Sequence, residues 1–172
     1  MPFDRMVLAV YEWFTELPPR QRNWQVVAQV GQTALTLPEV NGWKTHAVLA
    51  EHDFHTYCRQ ADLMVGHAGM GLVLTALDFA RPMLLMPRQG QKRETRNNHQ
   101  LSTARWLQNQ KGVLVAWDEK ELKQLLNDCT IKKQTSILIG AHEGFLIKDH
   151  QKNQTLVVYL QSFLDGHKRL AL

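Results

Sequence analysis

The chain has 172 residues, a formal charge of +4 and a pI near 9.2; its length suits one domain with room for a core. At 44% apolar residues it has an ordinary globular composition, with no run of about 18 apolar residues to cross a bilayer and no apolar signal-peptide core behind Met1-Pro2-Phe3-Asp4-Arg5. Cys58 and Cys129 are too few for a disulfide framework and lack metal-site spacing, so they read as reduced thiols of a cytoplasmic protein. The basic balance is compatible with phosphates, nucleic acid or an anionic membrane leaflet, and equally with a plain solvated surface.

From Phe3 to Leu17 the apolar residues Phe3, Met6, Val7, Val10, Tyr11 and Phe14 fall on one helix face, and Pro18-Pro19 stops it. Trp24 to Val30 is a short Val-rich strand ending at Gly31. A loop with Pro38, Asn41 and Gly42 leads to a weaker strand near Thr45 to Leu49, and Glu51 to Gln60 reads as a helix. Asp62 to Gly66 is a buried strand followed by a helix from Gly71 to Ala80. Pro82 to Pro87 is another buried strand, followed by a helix from Asn98 to Gln110. Gly112 to Ala116 is a strand, and Asp118 caps a helix running to Asn127. Ser136 to Gly140 has strand character, and Gln154 to Leu164 is expected as a terminal helix. Strands alternating with helices of about ten residues indicate βαβ units and a parallel sheet covered on both faces. The expectation is a single α/β, Rossmann-like domain over 1–172, with its core in 3–127 and a C-terminal extension over 128–172.

Two segments carry chemistry. Gly66-His67-Ala68-Gly69-Met70-Gly71 lies at the carboxyl end of one strand and opens a helix. Its glycines let backbone approach a ligand, and the free amides of the helix start form an anion site. A tight turn with no ligand explains the same glycines, and His67 is as consistent with a helix cap as with a phosphate donor. The second segment, Pro87 to Gln100, leaves the next strand and ends at another helix start. It concentrates cations and side-chain amides, which suit phosphates and sugar hydroxyls. The loop lacks interleaved aromatics for stacking bases, which counts against a nucleic-acid surface. Ligands of open α/β sheets bind at this edge, and convergence of both loops there favours a nucleotide. His52 and His55, three apart, read as surface residues rather than metal ligands.

The run Ala61 to Gly71, then Arg81-Pro-Met-Leu-Leu-Met-Pro87, then Asn97-Asn98-His99-Gln100 resembles the C-terminal domain of family 28 glycosyltransferases. That group includes the GlcNAc transferase that makes lipid II and the catalytic subunit of the dolichol-linked GlcNAc transferase. The pattern is most similar to bacterial exopolysaccharide subunits of the PssE type. It is carried by His67 to Gly71, Ala76-Leu77, Met86-Pro87-Arg88 and Glu94 to Gln100, with Phe3-Asp4-Arg5 similar to the start of that group's first helix. The resemblance covers residues 3 to 127; the part after Cys129 falls outside it. It implies the C-terminal, donor half of a GT-B enzyme split over two chains, inverting at the sugar, with a UDP-sugar as donor and neither metal nor other cofactor required. It also implies a membrane-associated partner that supplies the acceptor half, the general base and attachment to the inner face of the membrane, with a lipid-linked glycan as acceptor. By position, His67, Ala68, Gly69, Gly71 and Thr75 would hold the diphosphate and ribose. Asn98, His99 and Gln100 would reach the sugar, and Arg88, Glu94 and Arg96 would line the mouth, an Arg meeting a phosphate or a uronate carboxylate.

Two departures bear on this expectation. Relatives begin with a buried strand and a Gly-Thr turn ahead of the Phe-Asp-Arg helix, and this chain starts at Met1-Pro2. A truncated chain, a start placed late or a weakly binding copy is therefore expected, with an exposed central strand edge prone to aggregation. Thr75 stands where many relatives carry a ribose-binding Glu. Two other functions compete. One is a non-catalytic subunit that stabilises or stimulates a partner transferase. The other is a nucleotide-binding oxidoreductase domain, disfavoured because the full glycine fingerprint and an acidic residue about twenty positions on are missing.

Overall fold

The computed structural model describes residues 3–131 and 154–159. Helix α1 spans Asp4–Glu16, followed by a short 3-10 turn at Pro19–Gln21. Strands β1 (Trp24–Gln29) and β2 (Trp43–His46) come next, then α2 (Glu51–Gln60). The units β3 (Leu63–Gly66) with α3 (Met70–Asp78) and β4 (Met83–Leu85) with α4 (His99–Leu107) follow. The described elements end with β5 (Val113–Val115), α5 (Glu119–Ile131) and β6 (Gln154–Tyr159). The six strands form one sheet in the order β2-β1-β6-β3-β4-β5, with every pairing parallel. This is the α/β, Rossmann-like arrangement expected from the alternation of elements.

The two-residue period of the strands sorts the core into two layers. Val26 and Ala28 of β1, Leu63 and Val65 of β3, and Leu84 pack with Met6, Val10, Phe14 of α1 and Leu122, Leu126 of α5. Met64, Met83 and Leu85 point the other way, to Cys58 of α2, Leu72, Val73 and Ala76 of α3, and Ala104 and Leu107 of α4. Such strands, apolar on both faces, are the mark of a parallel sheet covered by helices. Across the first layer Trp13 Nε1 donates to Asn127 Oδ1 at 3.0 Å, and Lys123 pairs with Glu12 at 2.6 Å, joining α1 to α5. As expected, Asp118 caps α5: its Oδ1 accepts the Glu121 N–H at 2.8 Å.

Three expectations change. The strand placed near Thr45 to Leu49 runs instead over Trp43–His46, entered through Gly42 at φ +87°. There a Cβ would come within 2.9 Å of the Trp24 carbonyl and 3.1 Å of Phe14 Cζ, so position 42 has room only for glycine. The terminal helix expected from Gln154 to Leu164 is, over 154–159, strand β6; residues 160–164 and the strand at Ser136 to Gly140 lie outside the described residues. The run Gln-Thr-Leu-Val-Val-Tyr is rich in β-branched and aromatic residues, which suits a strand, while Leu156, Val157, Leu160, Phe163 and Leu164 also have helical spacing, and that ambiguity misleads the sequence reading.

The third correction follows from the second. β6 lies between β1 and β3, pairing residues 154–159 with Trp24–Gln29 and residues 156–159 with Leu63–Gly66. The central strand edge expected to be exposed is covered by β6, and the reason for expecting an aggregating edge is removed.

Candidate functional site

In a parallel α/β sheet the loops after the strands all emerge at one edge, where ligands bind. Here β3 and β4 are neighbours, and Met86 N–H donates to the Gly66 carbonyl at 2.9 Å, so pairing continues to the point where the two loops begin. The first loop is short and mostly backbone. Gly66, His67 and Ala68 are buried and Gly69 is the N-cap of α3. A Cβ on Gly69 would fall on Cε1 of the His67 imidazole and lie 2.5 Å from its Nδ1. Because His67 is itself buried, its ring has little freedom to yield, and Gly69 is fixed by close approach. No side chain caps α3, and the N–H groups of its first turn, Met70, Gly71 and Leu72, have no carbonyl one turn back to bond to. They and the helix dipole present partial positive charge at the sheet edge. Thr75 lies one turn further, its hydroxyl donating to the Gly71 carbonyl at 2.9 Å.

The second loop is long and tied by side chains. It passes through a 3-10 turn at Gly90–Lys92 and a left-handed residue at Arg93, φ 56°. Gln100 Oε1 accepts the Arg88 N–H at 3.1 Å, and Asn98 Oδ1 accepts the Gly90 N–H at 2.9 Å. Asn97 Oδ1 accepts the His99 N–H at 3.1 Å in a local turn. The oxygens of the Asn98 and Gln100 amides thus shape the loop, leaving their NH2 groups as what those side chains offer a ligand. His99 and Arg96 are solvent-exposed.

Glu94 is buried. Its Oε1 pairs with Arg5 Nε, and its Oε2 accepts from Arg5 Nη2 at 3.1 Å and from the Gln89 N–H at 2.8 Å. Arg5 also donates to the Pro87 carbonyl at 3.1 Å and meets Glu119 at 3.3 Å. The start of α1 is therefore bolted to the loop after β4 and to the start of α5. Arg88 is only 5% exposed, with its guanidinium carbon 5.3 Å from the centre of the Phe3 ring; Arg5 lies 5.0 Å from the same ring. Burial lowers the Arg88 pKa to about 10, opposed by the negative charge of Glu94, so the side chain stays cationic at neutral pH. The buried polar residues among those described are Gln29, His67, Arg88 and Glu94, and three of the four come from these two loops.

The sheet edge thus brings His67, Ala68, Gly69, Gly71 and Thr75 together on one loop and helix, and Arg88, Glu94, Asn98, His99 and Gln100 on its neighbour, with Arg96 on the outer rim. Sequence reasoning matched Phe3-Asp4-Arg5 to the start of a first helix but gave Phe3 and Arg5 no part in the site; a helix starting before β1 begins at the same sheet edge as the two loops. His52 is exposed, and His55 packs edge-on to Phe79 at 5.6 Å. A separate groove of about 730 Å³ flanks edge strand β2, bordered by Leu37, Pro38, Trp43, Lys44 and His46. No helix start among the described residues borders it. No helix among the described residues is long and apolar enough to cross a membrane.

Comparison with protein families matches residues 2–140 to the glycosyltransferase family 28 C-terminal domain. No curated protein and no solved structure matches the chain. The family match takes in β1 to β5 and both loops of the candidate site, and the chain belongs to glycosyltransferase family 28 through that C-terminal domain.

Proposed function

We propose that this chain is the donor-binding subunit of a two-component, inverting UDP-sugar transferase that builds an exopolysaccharide, capsule or other lipid-linked glycan. The observation that carries the reading is the pairing of two loops on adjacent parallel strands. One offers uncapped amides at a helix start, the other a buried guanidinium and two side-chain amides. Amides and cation suit a diphosphate, and the NH2 groups of Asn98 and Gln100 suit sugar hydroxyls. Inverting transfer is one displacement, so the chain's work is to position the donor and stabilise the departing diphosphate. The general base comes from the acceptor half, on a membrane-associated partner, and no metal or other cofactor is assigned a role.

Support for a partner comes from α3. Met70, Leu74 and Leu77 recur at helical spacing and are 50, 52 and 60% exposed, a stripe that begins at the glycine turn itself. The same stripe favours a second reading, a non-catalytic subunit that stabilises or stimulates a partner transferase. Calorimetry with UDP on the wild type and on His67→Ala separates the two. The donor reading expects binding that weakens in the variant, and transfer only when the chain is co-expressed with its partner. A folded full-length chain that ignores millimolar UDP sinks it. The second reading expects partner stimulation that survives substitution of Gly69 and Gln100.

A further inference from the structure

We infer that Arg88 is a clamp for one oxyanion of the donor, its fork left without hydrogen bonds because the neighbouring Glu94 is held by Arg5. The inference rests on the donor-site reading above and assigns a specific group within it. Arg88 is among the most enclosed charged side chains of the described chain, yet its Nε and Nη2 are buried without a hydrogen-bond partner among the described residues. These two nitrogens share one edge of the guanidinium, and their N–H bonds run parallel, the geometry that takes two oxygens of a phosphate or carboxylate at once.

A buried charge ordinarily finds a counter-ion. Glu94 acts on Arg88 through its charge but makes its hydrogen bonds elsewhere: both its oxygens are held by Arg5, and one also by the Gln89 N–H. Phe3 backs the guanidinium with its ring, and Gln100 fixes the Arg88 backbone. Arg88 is therefore positioned and charged, with two donors unmet, before any ligand arrives. Such a residue costs the unliganded fold stability, and that cost is the signature of a binding role. On a nucleotide sugar the complementary group is either a phosphate of the diphosphate or the carboxylate of an acidic sugar.

Calorimetric titration of the full chain with UDP, UDP-glucose and UDP-glucuronate, combined with thermal melts of the unliganded protein, tests this. Arg88→Met is expected to melt above the wild type and to lose roughly tenfold to hundredfold in affinity, the range for hydrogen bonds to a charged group. Arg88→Lys keeps the charge without the fork and falls between. Loss for all three ligands identifies a phosphate; loss confined to UDP-glucuronate identifies the sugar carboxylate. Arg5→Gln, which releases Glu94 toward Arg88, is expected to weaken binding with Arg88 intact, and Arg5→Gln/Glu94→Gln to recover it. Wild-type affinities for all three ligands in both Arg88 variants overturn the inference while leaving the donor site standing. A wild type that binds none of the three overturns both.

Discussion

The two loops at the ligand edge are built on opposite principles. The turn from Gly66 to Gly71 is short and makes its field from backbone amides, with Gly69 pressed against the His67 ring. The loop from Pro87 to Asn98 is long and makes its field from side chains, which Arg5, Glu94, Asn98 and Gln100 tie in place. The first is intolerant of added volume but has little ionic structure to lose. The second tolerates volume at its exposed positions but depends on a few buried polar contacts. They also lean differently on the sheet: β3, which carries the glycine turn, pairs directly with β6, whereas β4 pairs with β3 and β5.

Breaking β6 has the largest effect. Val157→Pro removes a backbone donor from the interior of a strand paired on both sides, where proline is not tolerated, and is expected to give the greatest loss of stability in urea denaturation. By hydrogen-exchange mass spectrometry, protection should fall first at 63–66 and later at 83–85; equal loss at both erases the difference in support between the loops. Glu94→Ala attacks the ionic loop. Removing one partner of a buried pair costs roughly 3–5 kcal/mol, and since Arg5 keeps Glu119, the lower end is expected in urea denaturation. Gly69→Ala attacks the packed turn. Displacing a buried ring costs about 1–2 kcal/mol, but because the ring borders the free amides, UDP affinity should fall by about tenfold, more than in Asn98→Ala. Asn98→Ala loses one hydrogen bond, worth about 1 kcal/mol, seen as a small drop in the denaturation midpoint.

The two thiols distinguish the layers beneath the loops by pH. Cys58 lies in the layer of Leu72, Val73 and Ala76, and burial raises its pKa from 9.0 to about 12. Cys129 packs in the layer of Met86, and burial, then Asp128, raises it to about 11. Below pH 9 both thiols are protonated folded and unfolded, and contribute no pH dependence. Above it the unfolded chain ionises first, so stability falls, from pH 9 to about 11 for Cys129 and to about 12 for Cys58. Comparing Cys58→Ala and Cys129→Ala with the wild type across that range should show the Cys58 contribution persisting to higher pH. Identical profiles would remove the distinction.

What the sequence made legible was local. The alternation of strands and helices, the Gly-rich opening of α3 and the prolines around β4 each express a rule that acts within about ten residues, and the structure follows them. What stayed hidden was distant. Arg5 and Glu94 are 89 positions apart, and no periodicity links a helix start to a loop beyond four strands. The amide oxygens of Asn98 and Gln100 turn inward to Gly90 and Arg88, a choice set by the fold of the loop rather than by residue type. β6 was misread because its apolar positions satisfy helix and strand alike, and only the open place between β1 and β3 decides. The sequence reading placed the two loops after successive strands, which the structure makes neighbours, but the ties that give the loops their shape are tertiary.

The central claim, that a nucleotide diphosphate binds across these two loops, is tested most directly by amide chemical-shift mapping of the full chain with UDP. The account predicts shifts concentrated at residues 67–72 and 88–100. Shifts confined to the groove along β2, residues 37–46, or no shifts at millimolar UDP, would contradict it.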